Sequence, residues 1–116
     1  MPHEEFMSCI EACNHCANAC EHCGAMCLRE EDVKAMVRCI ALDRDCAVIC
    51  HSAAFLMGSK SEFAEEACRL CAEICRTCAD ECRKHDMDHC RECAEACSRC
   101  AEECERMAGA NVESIS

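Results

Sequence analysis

The sequence predicts an all-α protein, an antiparallel up-down-up-down four-helix bundle with a cysteine-lined core. Three observations predict it. Nineteen of the 116 residues are cysteine. Most of them recur in alternating steps of three and four, the spacing of a helix face turned to a bundle core. No segment alternates with the two-residue period of a strand.

Each helix has its own run. The first holds Cys9, Cys13, Cys16, Cys20, Cys23 and Cys27, with Leu28–Glu31 as a short break and Asp32 placed to cap the second helix. The second is sparser, and its seam reads Asp32, Met36, Cys39, Asp43, Cys46, Cys50, Ala53, Met57. Gly58 suits the position just past its end. Ser59 with Glu62, or Ser61 alone, can cap the third helix, which carries Cys68, Cys71, Cys75, Cys78 and Cys82. Asp86 or Asp88 can cap the fourth, with Cys90, Cys93, Cys97, Cys100 and Cys104. The last two runs superimpose at an offset of 22 residues, an internal repeat of one helix. The expected bundle covers 1–108, with helices at about 4–28, 32–57, 61–85 and 88–108. Gly109 is expected to end the fourth, leaving 109–116 as a flexible C-terminal tail.

Composition says what fills such a bundle. Leu, Ile, Val and Phe together number only 16, Trp and Tyr are absent, and the net charge is −11. That balance alone is the balance of a disordered chain. A free thiol packs as a small hydrophobe, so the cysteines supply the core. Twelve Lys and Arg against 23 Asp and Glu exclude a basic nucleic-acid binder. No apolar run approaches the ~18 residues of a membrane span. Met1-Pro2-His3-Glu4-Glu5 lacks the basic and apolar regions of a secretory signal, which points to the cytoplasm, where thiols stay reduced. Outside the seam, Glu65, Glu66, Glu73, Arg76, Asp80, Glu81, Glu92, Glu95, Glu102 and Glu103 read as an acidic solvated face. Ile10, Ile40, Val48, Ile49, Leu70 and Ile74 either widen the core or form a face for association.

Thiols four residues apart on a helix point the same way, and eight such pairs exist: 9/13, 16/20, 23/27, 46/50, 71/75, 78/82, 93/97 and 100/104. Cβ separations of about 5–6 Å exceed the ~3.8 Å that disulfides prefer, so the spacing favours clamps for soft metals over cross-links. Charge then selects the metal. One monovalent cation per thiolate leaves a buried core neutral, and Cu(I) is soft and content with two or three sulfurs. If each sulfur bridges two ions, the chain holds on the order of 19 Cu(I). Stacked Zn(Cys)4 sites would each carry net negative charge and repel one another.

These features resemble the bacterial copper storage proteins, specifically the cytosolic type without a signal peptide. The stretches that carry the resemblance are Cys9-Ile-Glu-Ala-Cys13, Cys39-Ile-Ala-Leu-Asp-Arg-Asp-Cys46-Ala-Val-Ile-Cys50, Lys84-His-Asp-Met-Asp-His-Cys90 and the paired CxxCAExC runs of the last two helices. It covers essentially residues 6–107. It implies a bundle that fills with multiple Cu(I) ions bound by Cys thiolates, association into tetramers, and a role in storing copper while shielding the cytosol from it. Where the family often has further histidine in the last turn, this chain has Met87.

The two ends of the tube differ. One gathers Met36, Asp32, His85, Asp86 and His89 beside Cys27, Cys39, Cys82 and Cys90; the other gathers Phe6, Met7, Phe55, Met57, Phe63, Ala64 and Met107. Copper is expected to enter at the His85/His89 end, with the apolar end closed. His85 is a candidate ligand or, alternatively, a cation complementing a helix C-terminus. His89 is likewise a candidate ligand beside Cys90. Asp43 is a metal ligand or the partner of an arginine such as Arg44. Met36 offers a thioether or simply packs. His15, His22 and His51 read as surface or subunit-contact residues, and His3 as solvated. Two other functions compete with copper storage: a metallothionein-like zinc or cadmium detoxifier, and a thiol redox sensor. The second would need one low-pKa cysteine in an electropositive setting, which this repeated acidic pattern does not offer. No catalysis is expected.

Overall fold

The computed structural model describes the backbone of residues 2–115 and the side chains of 6–109. Four helices succeed one another: α1 (Pro2–Cys27), α2 (Val37–Gly58), α3 (Ala64–Cys82) and α4 (Asp88–Ile115). Each packs on its chain neighbours, and α4 closes the ring against α1. Thiol contacts give the directions. Cys9 meets Cys104 while Cys23 meets Cys90, so α1 and α4 are antiparallel. Cys16 meets Cys46 while Cys27 meets Cys39, and Cys50 meets Cys71 while Cys39 meets Cys82, so α2 runs against both its neighbours. The molecule is a rod of 50 × 23 × 18 Å.

The core is sulfur and alanine. All 19 cysteines are buried, none more than 1% exposed, and alanines such as Ala17, Ala53 and Ala101 fill the space between them. Small side chains at the seam let the helices approach closely, which keeps the tube narrow. Ile10, Ile40, Ile49 and Ile74 flank this core and widen it, whereas Val48 and Leu70 face out.

Local structure departs from the sequence expectation at the helix ends. The second helix is preceded by a single 3-10 turn (Val33–Met36), and the Asp32 carboxylate caps that turn by accepting from the Ala35 amide. Asp32 is therefore a solvated cap, not a seam residue. The turn after α2 is closed by the amides of Lys60 and Ser61, bonded to the carbonyls of Met57 and Leu56. Lys60, at φ 57°, holds the left-handed position expected for a glycine, and Gly58 remains inside the helix. The Ser61 hydroxyl accepts from the Phe63 amide in the turn before α3, so α3 starts later than expected. Beyond it, α4 runs through Gly109 to Ile115, where a tail was expected. His3 lies outside the described side chains.

Candidate metal centre

The seam spacing places every cysteine on the inner face, and the tube is narrow enough for sulfurs of different helices to touch. A continuous chain of Sγ···Sγ contacts runs along it. From the closed end it passes Cys9–Cys104 (3.7 Å), Cys104–Cys13 (3.7 Å), Cys13–Cys100 (3.6 Å), Cys100–Cys50 (3.8 Å), Cys50–Cys75 (3.7 Å) and Cys75–Cys46 (3.5 Å). It continues through Cys46–Cys16 (3.7 Å), Cys16–Cys97 (3.6 Å), Cys97–Cys20 (3.6 Å) and Cys20–Cys93 (3.7 Å). Pairs four residues apart do converge: 23/27, 46/50, 71/75 and 93/97 lie 3.8–3.9 Å apart at sulfur.

These separations suit shared metal ions. With metal–thiolate bonds of about 2.3 Å, two sulfurs on one ion stand at most about 4.6 Å apart. Sets of four sulfurs with all members within 4.8 Å include Cys13/Cys71/Cys100/Cys104, Cys16/Cys46/Cys50/Cys75, Cys16/Cys20/Cys46/Cys97 and Cys20/Cys78/Cys93/Cys97. Cys16, Cys20, Cys46 and Cys97 each serve two sets. Shared corners are the geometry of bridging thiolates, not of isolated closed sites.

Asp43 interrupts the sulfur. It is 1% exposed and its Oδ1 accepts from the thiols of Cys78 (3.2 Å) and Cys93 (3.3 Å). Its Oδ2 stands 3.9 Å from the Cys39 sulfur. Among the described residues its hydrogen-bond partners are thiols, and no arginine pairs with it. Burial, reinforced by the neighbouring Cys93, pushes its pKa up to about 8.

Past Asp43 lies the mouth. Cys23, Cys27, Cys39 and Cys90 form one four-sulfur set. His89, 9% exposed, brings Nδ1 to 3.5 Å from both Cys23 and Cys90 and to 3.9 Å from Cys27. Its Nε2 bonds the Glu30 carboxylate at 3.0 Å. Burial first, and then the neighbouring Cys39, pushes the Cys90 thiol up to about 11, whereas the bonds from Cys23 and Cys82 pull the Cys39 thiol down. His85 is placed differently. Its Nε2 bonds Glu81 at 3.1 Å, and its side chain is 14% exposed. Met36, the last residue of the 3-10 turn before α2, is buried as part of the core.

Glu81 corrects the sequence reading. It is not part of the solvated face: its side chain is only 6% exposed, and Arg38 (2.9 Å) and Lys84 (3.3 Å) join His85 around it. Burial raises the cost of its charge, but the bonds from His85, Arg38 and Lys84 outweigh that and hold its pKa below the usual carboxylate value. Its position directly before Cys82, on the shoulder of the seam, was the available signal. Glu30 was also missed, because its partner lies 59 residues away.

At the other end Met57, Ala64 and Met107 are buried and Phe6 packs partly against them. Phe55, Phe63 and Met7 are exposed, at 74%, 58% and 41%. The plug is thus smaller than expected, made of Met57, Ala64 and Met107 with Phe6 partly packed on the core. His15 and His22 lie outside the tube, lining an open groove of about 520 Å³ between α1 and α4, and His51 pairs with Glu21 on the surface.

Comparison with known proteins agrees with this geometry. The family model for copper storage proteins matches residues 2–109. The chain belongs to the copper storage protein family. A curated relative, the uncharacterized cysteine-rich protein YhjQ of Bacillus subtilis, is 52% identical over 86 residues, covering 74% of this chain and 73% of its own length. The Cu(I)-bound copper storage protein BsCsp3 superimposes with a TM-score of 0.86 at 50% identity, over 90% of this chain and 98% of its own. A cytosolic copper storage protein from Streptomyces lividans, solved with five coppers, gives a TM-score of 0.90 at 35% identity, over 93% and 95% of the two chains. Among the described residues, no helix is long and apolar enough to cross a membrane.

Proposed function

We propose that this protein stores and buffers Cu(I) in the cytoplasm, taking up on the order of one ion per cysteine, and that it catalyses nothing. The observation that carries the reading is the run of four-sulfur sets that share corners along one buried tube. Neutral thiols pack as apolar groups, so the empty bundle folds first. Each ion then replaces a thiol proton, and uptake releases protons and weakens in acid. All 19 cysteines act as ligands. His89 completes the mouth set through Nδ1, Asp43 offers an oxygen between the mouth and the body of the tube, and Met36 offers a thioether at the rim. His85 meets copper first at the His85/His89 end. The cytosolic setting rests on the Streptomyces relative, and a homotetramer rests on family resemblance.

The test is an anaerobic titration of reduced protein with Cu(I) against a chromophoric Cu(I) chelator. A breakpoint near one ion per cysteine is expected. Saturation at only a few ions, or tighter retention of zinc than of Cu(I), would return the reading to a divalent-metal detoxifier. Replacing His85 and His89 together by alanine should slow loading more than it lowers capacity; unchanged loading would remove the mouth from the mechanism.

A further inference from the structure

The two mouth histidines differ in what holds them. His85 leans on Glu81, a carboxylate already neutralised by Arg38 and Lys84. His89 bonds Glu30, which has no lysine or arginine partner among the described residues. Glu30 sits in the segment joining α1 to the 3-10 turn, and its side chain is 31% exposed. Among the described residues, the one side-chain hydrogen bond of Glu30 is to the ring nitrogen that points away from the sulfurs.

That contact has a chemical consequence. A neutral imidazole carries one N–H, and the hydrogen bond made by one nitrogen fixes the role of the other. A carboxylate can only accept, so Nε2 must be the donor at 3.0 Å. The lone pair is then left on Nδ1, which stands 3.5 Å from the sulfurs of both Cys23 and Cys90. We infer that Glu30 is a positioning residue of the mouth: its carboxylate selects the Nε2–H form of His89 and aims a free Nδ1 at the Cys23/Cys27/Cys90 sulfurs. Among the described residues Glu30 makes no hydrogen bond to a sulfur. The bond also joins the segment after α1 to the first turn of α4, so it fixes the ring's direction as well as its proton. This inference rests on the proposed mouth, but its first readout does not require copper.

Three variants test it: Glu30→Ala, Glu30→Gln and His89→Ala. Nitrogen-15 shifts of the histidine rings in the unloaded, reduced protein at alkaline pH report which nitrogen carries the proton. The wild type should show His89 in the Nε2–H form. Glu30→Ala should shift it to a mixture, and Glu30→Gln, whose amide oxygen still accepts, should keep it. An unchanged tautomer in Glu30→Ala would overturn the inference outright. In stopped-flow transfer of the first Cu(I) equivalents, Glu30→Ala should lose about tenfold in rate or affinity, the usual effect of removing a ligand's supporting partner. The Glu30→Ala/His89→Ala double variant should be no worse than His89→Ala alone. Additive losses would mean that Glu30 acts independently of the ring and would also overturn it. If His89→Ala loads like wild type while the tautomer still depends on Glu30, the positioning stands and the mouth's part in loading falls.

Discussion

Asp43→Asn isolates the one carboxyl group inside the tube. Asp43 is 1% exposed and bonded to Cys78 and Cys93, and its pKa is pushed up to about 8 by burial and then by Cys93. In the unfolded chain an aspartate titrates near its ordinary value of about 3.9. Between those values the folded protein holds a proton that the unfolded chain has released. Stability must then fall as pH rises from about 4 to about 8. At about 1.4 kcal/mol per pH unit the loss approaches 5 kcal/mol across the window. Asparagine has nearly the same shape, keeps an acceptor for one thiol, and carries no titrating proton. Urea unfolding of the copper-free, reduced protein, measured at intervals from pH 4 to pH 8, gives the assay. The difference between wild type and Asp43→Asn should change by several kcal/mol over that range. Glu81 works with the opposite sign, stabilising above the ordinary carboxylate range and losing that contribution in acid, because its folded pKa is lowered. It is present in both proteins and cancels in the difference. Parallel curves would refute the reasoning: Asp43 would then be ionised in the fold at neutral pH, and its environment far more polar than its contacts indicate.

Three further outcomes are expected. Lys60→Gly should raise stability by about 1 kcal/mol, because an L-residue in the left-handed region at φ 57° costs about 1–2 kcal/mol and glycine's greater unfolded-state freedom offsets part of the gain; a lower thermal midpoint would contradict this. Met57→Ala should cost about 2–5 kcal/mol by opening a cavity where Met57, 1% exposed, closes the far end of the tube; a cost under about 1 kcal/mol would show that the plug collapses freely or holds nothing. Cys46→Ala should destabilise the empty bundle by only about 1 kcal/mol, the scale of losing one small apolar group. Because Cys46 belongs to two four-sulfur sets, the same variant should lower Cu(I) capacity by more than Cys9→Ala does; equal losses in the chelator-competition titration would argue against bridging thiolates.

Much of this structure was legible because one residue type serves two purposes. Cysteine marks the core and the ligands at once, so the steps of three and four gave the inner face of each helix and the metal chemistry together. Asp43, Met36 and Met57 were legible for the same reason: they stand where the seam required a buried residue, and they are buried. The helix ends were less so. Lys60 adopts a glycine-like conformation because the bonds from its own amide and that of Ser61 close the turn regardless of side chain. Glu81 and Glu30 were hidden because a carboxylate on the shoulder of a helix or in a linker carries no periodic signal. Their roles come from partners brought by the fold, Arg38 from the neighbouring α2 and His89 from 59 residues further along the chain. The exposed Phe55 and Phe63 show the converse error, since aromatic residues near a helix end need not turn inward.

Charge ties the empty and filled states to one fold. A metal-free core whose thiols and Asp43 all hold their protons carries no net charge. Replacing each thiol proton by a monovalent cation preserves that condition at every stage of filling, and no stage requires an uncompensated buried charge of the kind that costs several kcal/mol. A divalent ion shared by four thiolates breaks the condition at once, leaving two surplus negative charges per site in a tube whose interior, among the described residues, holds no lysine or arginine.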